Sequence, residues 1–292
     1  MSAARAERRL GLALAAPAIL AMTLVTAYPL GRALWLSLFR DRLTDPGGRT
    51  FVGLRNYRTI LGDQLWWQDV QTTLTLTLIS VSVELVLAFL LAYTMLRIGR
   101  GRAAVRAAVL VPYGIVTVVS AFAWRYAFAL DAGFVNGWLG LGSFSWFGAR
   151  WSSLAVVLLA EIWKTTPFVA LLLLAGLVQV PEDLQEAAKM DGATAWQRLW
   201  RVTIPSMKGA ILVAVLFRTL DAWRIFDTIF VMTAGANRTE TLSFLAYRQT
   251  VTLVNLGMGS AVSVLLFASA VGLAAGFIGV FRPDLSGVRG ER

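Results

Sequence analysis

Long apolar stretches separated by short polar ones dominate the chain. The pattern predicts six membrane-spanning helices, over roughly residues 11–36, 70–96, 104–129, 152–178, 209–232 and 257–281. Each approaches or exceeds the ~20 residues needed to cross a bilayer. A soluble core of this size would be broken by charge every turn or two. Pro17, Pro29, Pro112, Pro167 and Gly176 lie inside these stretches and mark expected kinks, which membrane helices tolerate where neighbouring helices re-satisfy the backbone. The fold class expected is therefore all-α and polytopic. It divides into a tail at 1–10, a membrane domain at 11–281 and a second tail at 282–292. Met1–Arg9 is short and basic and runs into Leu10–Leu30. A cleavable signal peptide also begins this way, but the apolar run is long and further spans follow, so an uncleaved first helix is expected.

One polar interval, Gln179–Lys208, has a helical design of its own. Pro181 suits a first helical turn, and Glu182 and Asp183 put negative charge at the positive end of the dipole. Leu184, Ala187 and Ala188 share a face. Gly192 permits a sharp turn. Thr194 with Gln197 reads as a capping box opening a second short helix that carries Trp196, Leu199 and Trp200, and Ile204-Pro205 is expected to close it. Small residues on a short helix between two spans let a partner approach the backbone closely, as on a docking knob.

Composition narrows the chemistry. Apolar residues make up 57% of the chain, and the mean hydropathy is +0.66. There is no cysteine and no histidine, so disulfides, thiolate metal sites and the usual neutral-pH acid/base are excluded. Gly99-Arg100-Gly101-Arg102 lacks the lysine-serine ending of a phosphate loop, so the chain cannot hydrolyse ATP by itself. A net charge of +10 would suggest nucleic acid in a soluble chain; here it fits arginines holding loops against anionic membrane lipid, with no nucleic-acid partner.

Orientation follows from the basic clusters. Arg5, Arg8 and Arg9, then Arg97, Arg100, Arg102 and Arg106, then Lys189, Arg198, Arg201 and Lys208, and finally Arg282, Arg289 and Arg292 fall on one side if there are six spans. That side is expected to be cytoplasmic, with both termini. The arginines of the 40–69 segment oppose this, partly offset by its aspartates. Asp45-Pro46-Gly47-Gly48 is a turn signal there, Trp66 and Trp67 suit an interfacial belt, and 130–151 suits a short amphipathic element.

Intramembrane charge is costly and needs a partner or an aqueous path. Glu84, Arg125, Glu161 and Lys164 fall in the second to fourth spans, and Arg218, Asp221, Arg224 and Asp227 alternate in sign along the fifth. Two readings stay open. Structural pairs would involve Glu161, Arg218 and Asp227. A polar path would be lined by Lys164, Asp221 and Arg224, with Tyr126, Trp163, Trp223 and Asn255 as companions. Asp221 lies about 18 Å along the fifth span, near mid-bilayer. Arg218 and Arg224 are within its reach, so Asp221 is expected to hold register at an interface, with ligand contact the lesser role.

The run Glu186-Ala187-Ala188, then Gly192, then Val202-Thr203-Ile204-Pro205 resembles the EAA loop of permease subunits in binding-protein-dependent ABC importers. Val202 and Ile204 stand where the family prefers Ile and Leu. Ile162–Phe168, Ala175-Gly176-Leu177 and Phe226–Thr233 resemble the MalF-like sugar-importing branch, and the likeness is closest to actinobacterial trehalose importers. The resemblance implies the type I importer fold and a non-catalytic role. Glu186, Ala187, Ala188, Asp191, Gly192 and Pro205 would couple to a homodimeric cytoplasmic ATPase, which uses ATP and magnesium; this chain would bind no cofactor and no metal. It also implies a second, MalG-like permease and an extracytoplasmic solute-binding lipoprotein that delivers the sugar. Trehalose is the first expectation, with maltose, maltodextrin and glycerol phosphate as alternatives. A secondary transporter could use intramembrane acids but has no need of the shaped loop, and a scaffold explains neither the loop nor the charge.

Overall fold

The structure, a computed structural model, describes residues 2–99 and 101–281. Arg100 and the expected tail at 282–292, with Arg282, Arg289 and Arg292, lie outside the described residues, as do the side chains of Arg5, Arg8, Arg9 and Arg102. Helix α1 (Ser2–Ser37) leads through a small antiparallel ribbon, β1 (Phe39–Arg40) and β2 (Thr50–Phe51), to α2 (Arg55–Gly62). Then come α3 (Gln64–Arg97), α4 (Arg102–Gly114), α5 (Thr117–Ala127), α6 (Val135–Leu139) and α7 (Arg150–Val178). The polar interval holds α8 (Glu182–Met190), α9 (Ala195–Arg198), a π-helical turn (Leu199–Thr203) and α10 (Ile204–Ser206). After it come α11 (Lys208–Trp223), α12 (Asp227–Met232), α13 (Leu242–Tyr247) and α14 (Leu256–Phe281).

Among the described residues, four helices are long and apolar enough to cross a membrane: Ala13–Ser37, Gln64–Arg97, Arg150–Val178 and Leu256–Val280. Two bent pairs raise the number to six if each is one span. The expected third span, 104–129, is not one helix: it bends by 81° between Gly114 and Thr117. Pro112 has no N–H to give the preceding turn, and Ile115 and Val116 are extended. The expected fifth span, 209–232, is interrupted at Arg224–Phe226, between α11 and α12.

The chain divides into two compact units. The smaller joins the residues up to Trp66 to Leu245–Ala268; the larger runs over Trp67–Phe244 and resumes at Ser269. In the smaller unit Phe39 pairs with Phe51 and Arg40 with Thr50. The buried Asn56 donates from Nδ2 to the Ser37 and Phe39 carbonyls at 2.8 and 2.9 Å, fixing α2 beneath the ribbon. The expected turn forms, with Gly47 N donating to Asp45 Oδ1 at 3.2 Å. Gly257 N donates to the Asp41 carbonyl at 3.1 Å, so the segment after α1 grips the start of α14. Trp67 is exposed, but Trp66 is buried, which corrects the expectation of a two-tryptophan belt.

In the larger unit α7 is the central post. α4, α5, α11 and α12 all pack on it. Its buried positions include Leu154, Val157, Ala160, Val169, Leu173 and Leu177. Two apolar clusters form along it, one with Ile229 and Met232 of α12, the other with Ala88 and Ala92 of α3 and Ala214 of α11. Gly176 lets α11 close in, since a Cβ there would collide with that of Ala210. The 130–151 stretch contains the short helix expected of it, α6, where Asn136 bonds the Phe144 carbonyl and the Trp146 indole.

Candidate functional site

The polar interval folds much as its residues dictate. Pro181 is the N-cap of α8, with Glu182 and Asp183 in the first turn. Asp191 ends the helix, and Gly192 follows with φ +77°, in the left-handed region. Gly192 N donates to the Lys189 carbonyl and Ala193 N to the Ala188 carbonyl, at 3.1 and 2.9 Å, the paired pattern of a Schellman ending. The capping box forms as read: Gln197 N donates to Thr194 Oγ1 and Thr194 N to Gln197 Oε1. Gln185 Nε2 donates to Thr203 Oγ1 at 2.9 Å, tying α8 to the π-turn.

Pro205 does not close the second helix, as its place in the sequence suggested. It sits in α10, and the chain bends at Met207, so that Ala195–Ser206 and Lys208–Met232 meet at 71°. The π-turn just before it supplies the reason. Widening to an i→i+5 bond, from Ile204 N to the Leu199 carbonyl, relaxes the backbone where proline brings no donor. Glu186, Ala187, Asp191, Gly192 and Pro205 are exposed, and Ala188 is half-buried. Leu184, Met190, Trp196 and Trp200 are exposed around them, the two tryptophans edge to face at 5.6 Å. An apolar rim around small residues is a surface built to be covered.

The intramembrane charges assemble around a cavity of about 550 Å³ in the larger unit. Its walls include Lys164, Thr165 and Glu161 from α7, Arg218 and Asp221 from α11, Arg224 in the break, and Asp227 and Thr228 from α12. Arg218 is the hub. It engages both carboxylate oxygens of the fully buried Glu84, from Nε to Oε2 and from Nη2 to Oε1, the latter at 3.0 Å. Its Nη1 meets Asp221 Oδ2 at 2.7 Å, and its Nη2 lies 3.5 Å from Glu161 Oε2. Thr228 Oγ1 donates to the other oxygen of Glu161. Asp221 differs from the other two acids, because its side chain is 66% exposed.

Two sequence expectations change here. Arg224 makes no ion pair with Asp221 among the described residues; its Nε donates to the Leu220 carbonyl at 3.3 Å. Asp227, expected in a structural pair, is exposed at the cavity and makes no ion pair among the described residues. The charge on Arg218 is balanced within the chain by Glu84 and Glu161. Glu84 was legible as a costly intramembrane acid, but its partner was not, and Thr228 carried no signal beyond a hydroxyl one residue after Asp227.

Lys164 is used in an unforeseen way. Its Nζ donates to the Tyr113 and Ile115 carbonyls at 3.2 and 2.7 Å, where the α4–α5 bend leaves acceptors without helical donors. A cation at a helix C-terminus also meets the negative end of its dipole. The remaining candidates are not among the residues that line the cavity. Tyr126 is exposed on α5, and Trp163 packs against Trp124 at 5.9 Å. Trp223 is buried, its Nε1 donating to Ser269 Oγ at 2.9 Å. Asn255, in the smaller unit, accepts from Met258 N at 3.2 Å and so caps α14.

Residues 84–281 match the family described as binding-protein-dependent transport system inner membrane component. The trehalose transport system permease SugA of Mycobacterium tuberculosis is 51% identical over 94% of this chain and 90% of its own. The trehalose/maltose permease MalF of Thermococcus litoralis is 36% identical over 95% and 96%. Among solved structures, a chain of a bacterial ABC transporter that imports alginate superposes with a TM-score of 0.80 at 21% identity, over 97% of this chain and 99% of that one. That likeness establishes the type I importer fold.

Proposed function

The chain belongs to the family of binding-protein-dependent transport system inner membrane components, and from that premise we propose that it is the MalF-like permease of an ATP-driven sugar importer whose cargo is trehalose. The observation that carries the reading is the charged cavity at the α11–α12 break. Asp221, Arg224 and Asp227 are exposed there, beside the buried Lys164, and supply the acceptors and donors that a polyhydroxylated ligand requires. The choice of trehalose leans on the 51% identity to a trehalose permease.

In this reading residues 11–281 are the membrane domain, both tails and the segment 179–208 face the cytoplasm, and a MalG-like permease completes the path. A solute-binding lipoprotein delivers sugar from outside. A homodimeric ATPase, with its own ATP and magnesium, receives the exposed α8 and α9 and engages Glu186, Ala187, Ala188, Asp191 and Gly192, with Pro205 in the turn before the bend. Closure of that ATPase would move α8 and α9. These continue into α7 at one end and, through the bend at Met207, into α11 at the other. Those two helices carry Glu161, Lys164, Arg218 and Asp221, so a push on the segment reaches the cavity and alternates its opening.

The test is uptake of labelled trehalose by cells lacking this chain, with and without its restoration, challenged by unlabelled maltose, maltodextrin and glycerol phosphate. Restored uptake blocked by trehalose alone supports the reading. Equal blocking by maltose widens the cargo, and unchanged uptake in the deleted cells refutes it.

A further inference from the structure

A second cavity, of about 740 Å³, opens between the end of α3, the start of α4, the end of α7 and the α8–α9 segment. Arg97, Arg106 and Arg198 line it, against a single carboxylate, Glu182. No ion pair joins any of these four among the described residues. Arg106 Nε is buried without a hydrogen-bond partner. Arg198 spends Nη1 on the Ala193 carbonyl, at 2.9 Å. Arg97 lies over the Tyr93 ring, 4.4 Å from its centroid. Leu90, Leu96, Leu177 and Val178 contribute an aliphatic part of the lining. Leu90 and Val178 are 55% and 60% exposed, so the apolar side is open along its edge.

We propose that this cavity binds an anionic phospholipid, its phosphodiester on Arg106 and Arg198 and an acyl chain along Leu90, Leu96 and Val178. A guanidinium N–H buried without an acceptor is costly, and a phosphate oxygen removes that cost. Planar guanidinium groups suit a phosphate better than point charges do. Positive charge in excess of one carboxylate disfavours the ammonium of a zwitterionic headgroup. A phosphoryl anion could also come free from solution, but the aliphatic wall would then have no ligand to cover it, which favours the lipid. Basic groups beside a membrane span are where anionic headgroups concentrate. A lipid so held bridges α3 and α4 to the segment that begins α8 and α9, so its occupancy would tie the position of that segment to membrane composition.

The test uses the assembled importer in nanodiscs of phosphatidylcholine with phosphatidylglycerol, released for native mass spectrometry. The expected result is a retained phosphatidylglycerol adduct that inorganic phosphate and ATP do not displace. Arg106→Gln with Arg198→Gln should lower its occupancy roughly a hundredfold, the loss of two charge-assisted contacts. Arg201→Gln, outside the cavity, should leave it unchanged. Equal retention of phosphatidylcholine, or parental retention by the double variant, overturns the proposal. Displacement by inorganic phosphate or ATP also overturns it, in favour of a free-anion site. If the double variant does not assemble, Val178→Glu on the exposed rim decides: loss of the adduct supports the lipid site, and full retention refutes it.

Discussion

Arg218 and Glu84, 134 positions apart, meet as a buried two-point ion pair that fastens α11 to α3. Neither is more than 2% exposed. A lone buried charge is far worse than a buried pair, so the cost of change depends on which partner is removed. Glu84→Gln should destabilise the protein by about 3 kcal/mol, the lower end of the usual cost of breaking a buried pair, because Arg218 keeps Glu161 and Asp221. Glu84→Met combined with Arg218→Met should cost less than the two single losses added, because neither member of the pair is then left alone, although Glu161 and Asp221 lose their cation. Thermal unfolding of the purified protein in detergent gives the comparison. A double variant as unstable as the two single losses added would mean the residues act independently.

Gly192 is the point at which the 179–208 segment depends on backbone alone. Its φ is +77°, and a Cβ built there would meet nothing within 4 Å. Gly192→Val therefore costs only the left-handed conformation, about 1–2 kcal/mol, and no collision. The Schellman ending should open, and α8 should lose its angle to α9. We expect membrane levels near parental and import strongly reduced. Gly192→Asn, which tolerates that conformation better, should keep a substantial part of the activity. Equal import by all three proteins would remove the segment from energy coupling.

The sidedness of this segment can be read directly, because the chain has no cysteine. Ala195 is exposed at the start of α9. Ala195→Cys should resist an impermeant maleimide added to intact cells and react once the membrane is opened. Labelling in intact cells would overturn the cytoplasmic assignment.

Local chemistry was legible in the sequence, and long-range geometry was not. Thr194 and Gln197 announce their capping box because both partners lie within one turn. The spacing of apolar residues likewise located the long helices, closely at their C-terminal ends, although α1 and α3 begin before the expected residues 11 and 70. It could not foresee where helices break. Hydropathy runs unbroken through Ile115-Val116 and through Ile225-Phe226, yet the first pair is extended and the second lies in an interruption. Pro112 warned of the first bend. The Lys164 contacts that satisfy its carbonyls come from a helix about 50 positions on. Charge spacing told only part, for the same reason. Three-residue intervals located the Arg218–Asp221 pair, but not the buried partner of Arg218 that arrives from another span.

That reassignment changes what Asp221 should do. With Glu84 and Glu161 on the same guanidinium, Arg218 keeps buried carboxylate partners when Asp221 is neutralised. The Asp221 side chain is 66% exposed, so its ion pair is screened and contributes little to stability. It faces the cavity shared with Lys164, Arg224 and Asp227. Asp221→Asn should therefore assemble with a melting temperature close to parental, while the half-saturation for the transported sugar rises, because a carboxylate that accepts from sugar hydroxyls becomes a weaker, neutral partner. Losing one charge-assisted bond predicts an increase of roughly tenfold, with the maximal rate less affected. Asp221→Ala, which leaves no acceptor, should raise it further. Loss of the assembled complex in the Asn variant, with uptake per remaining complex unchanged, would return Asp221 to a purely structural role.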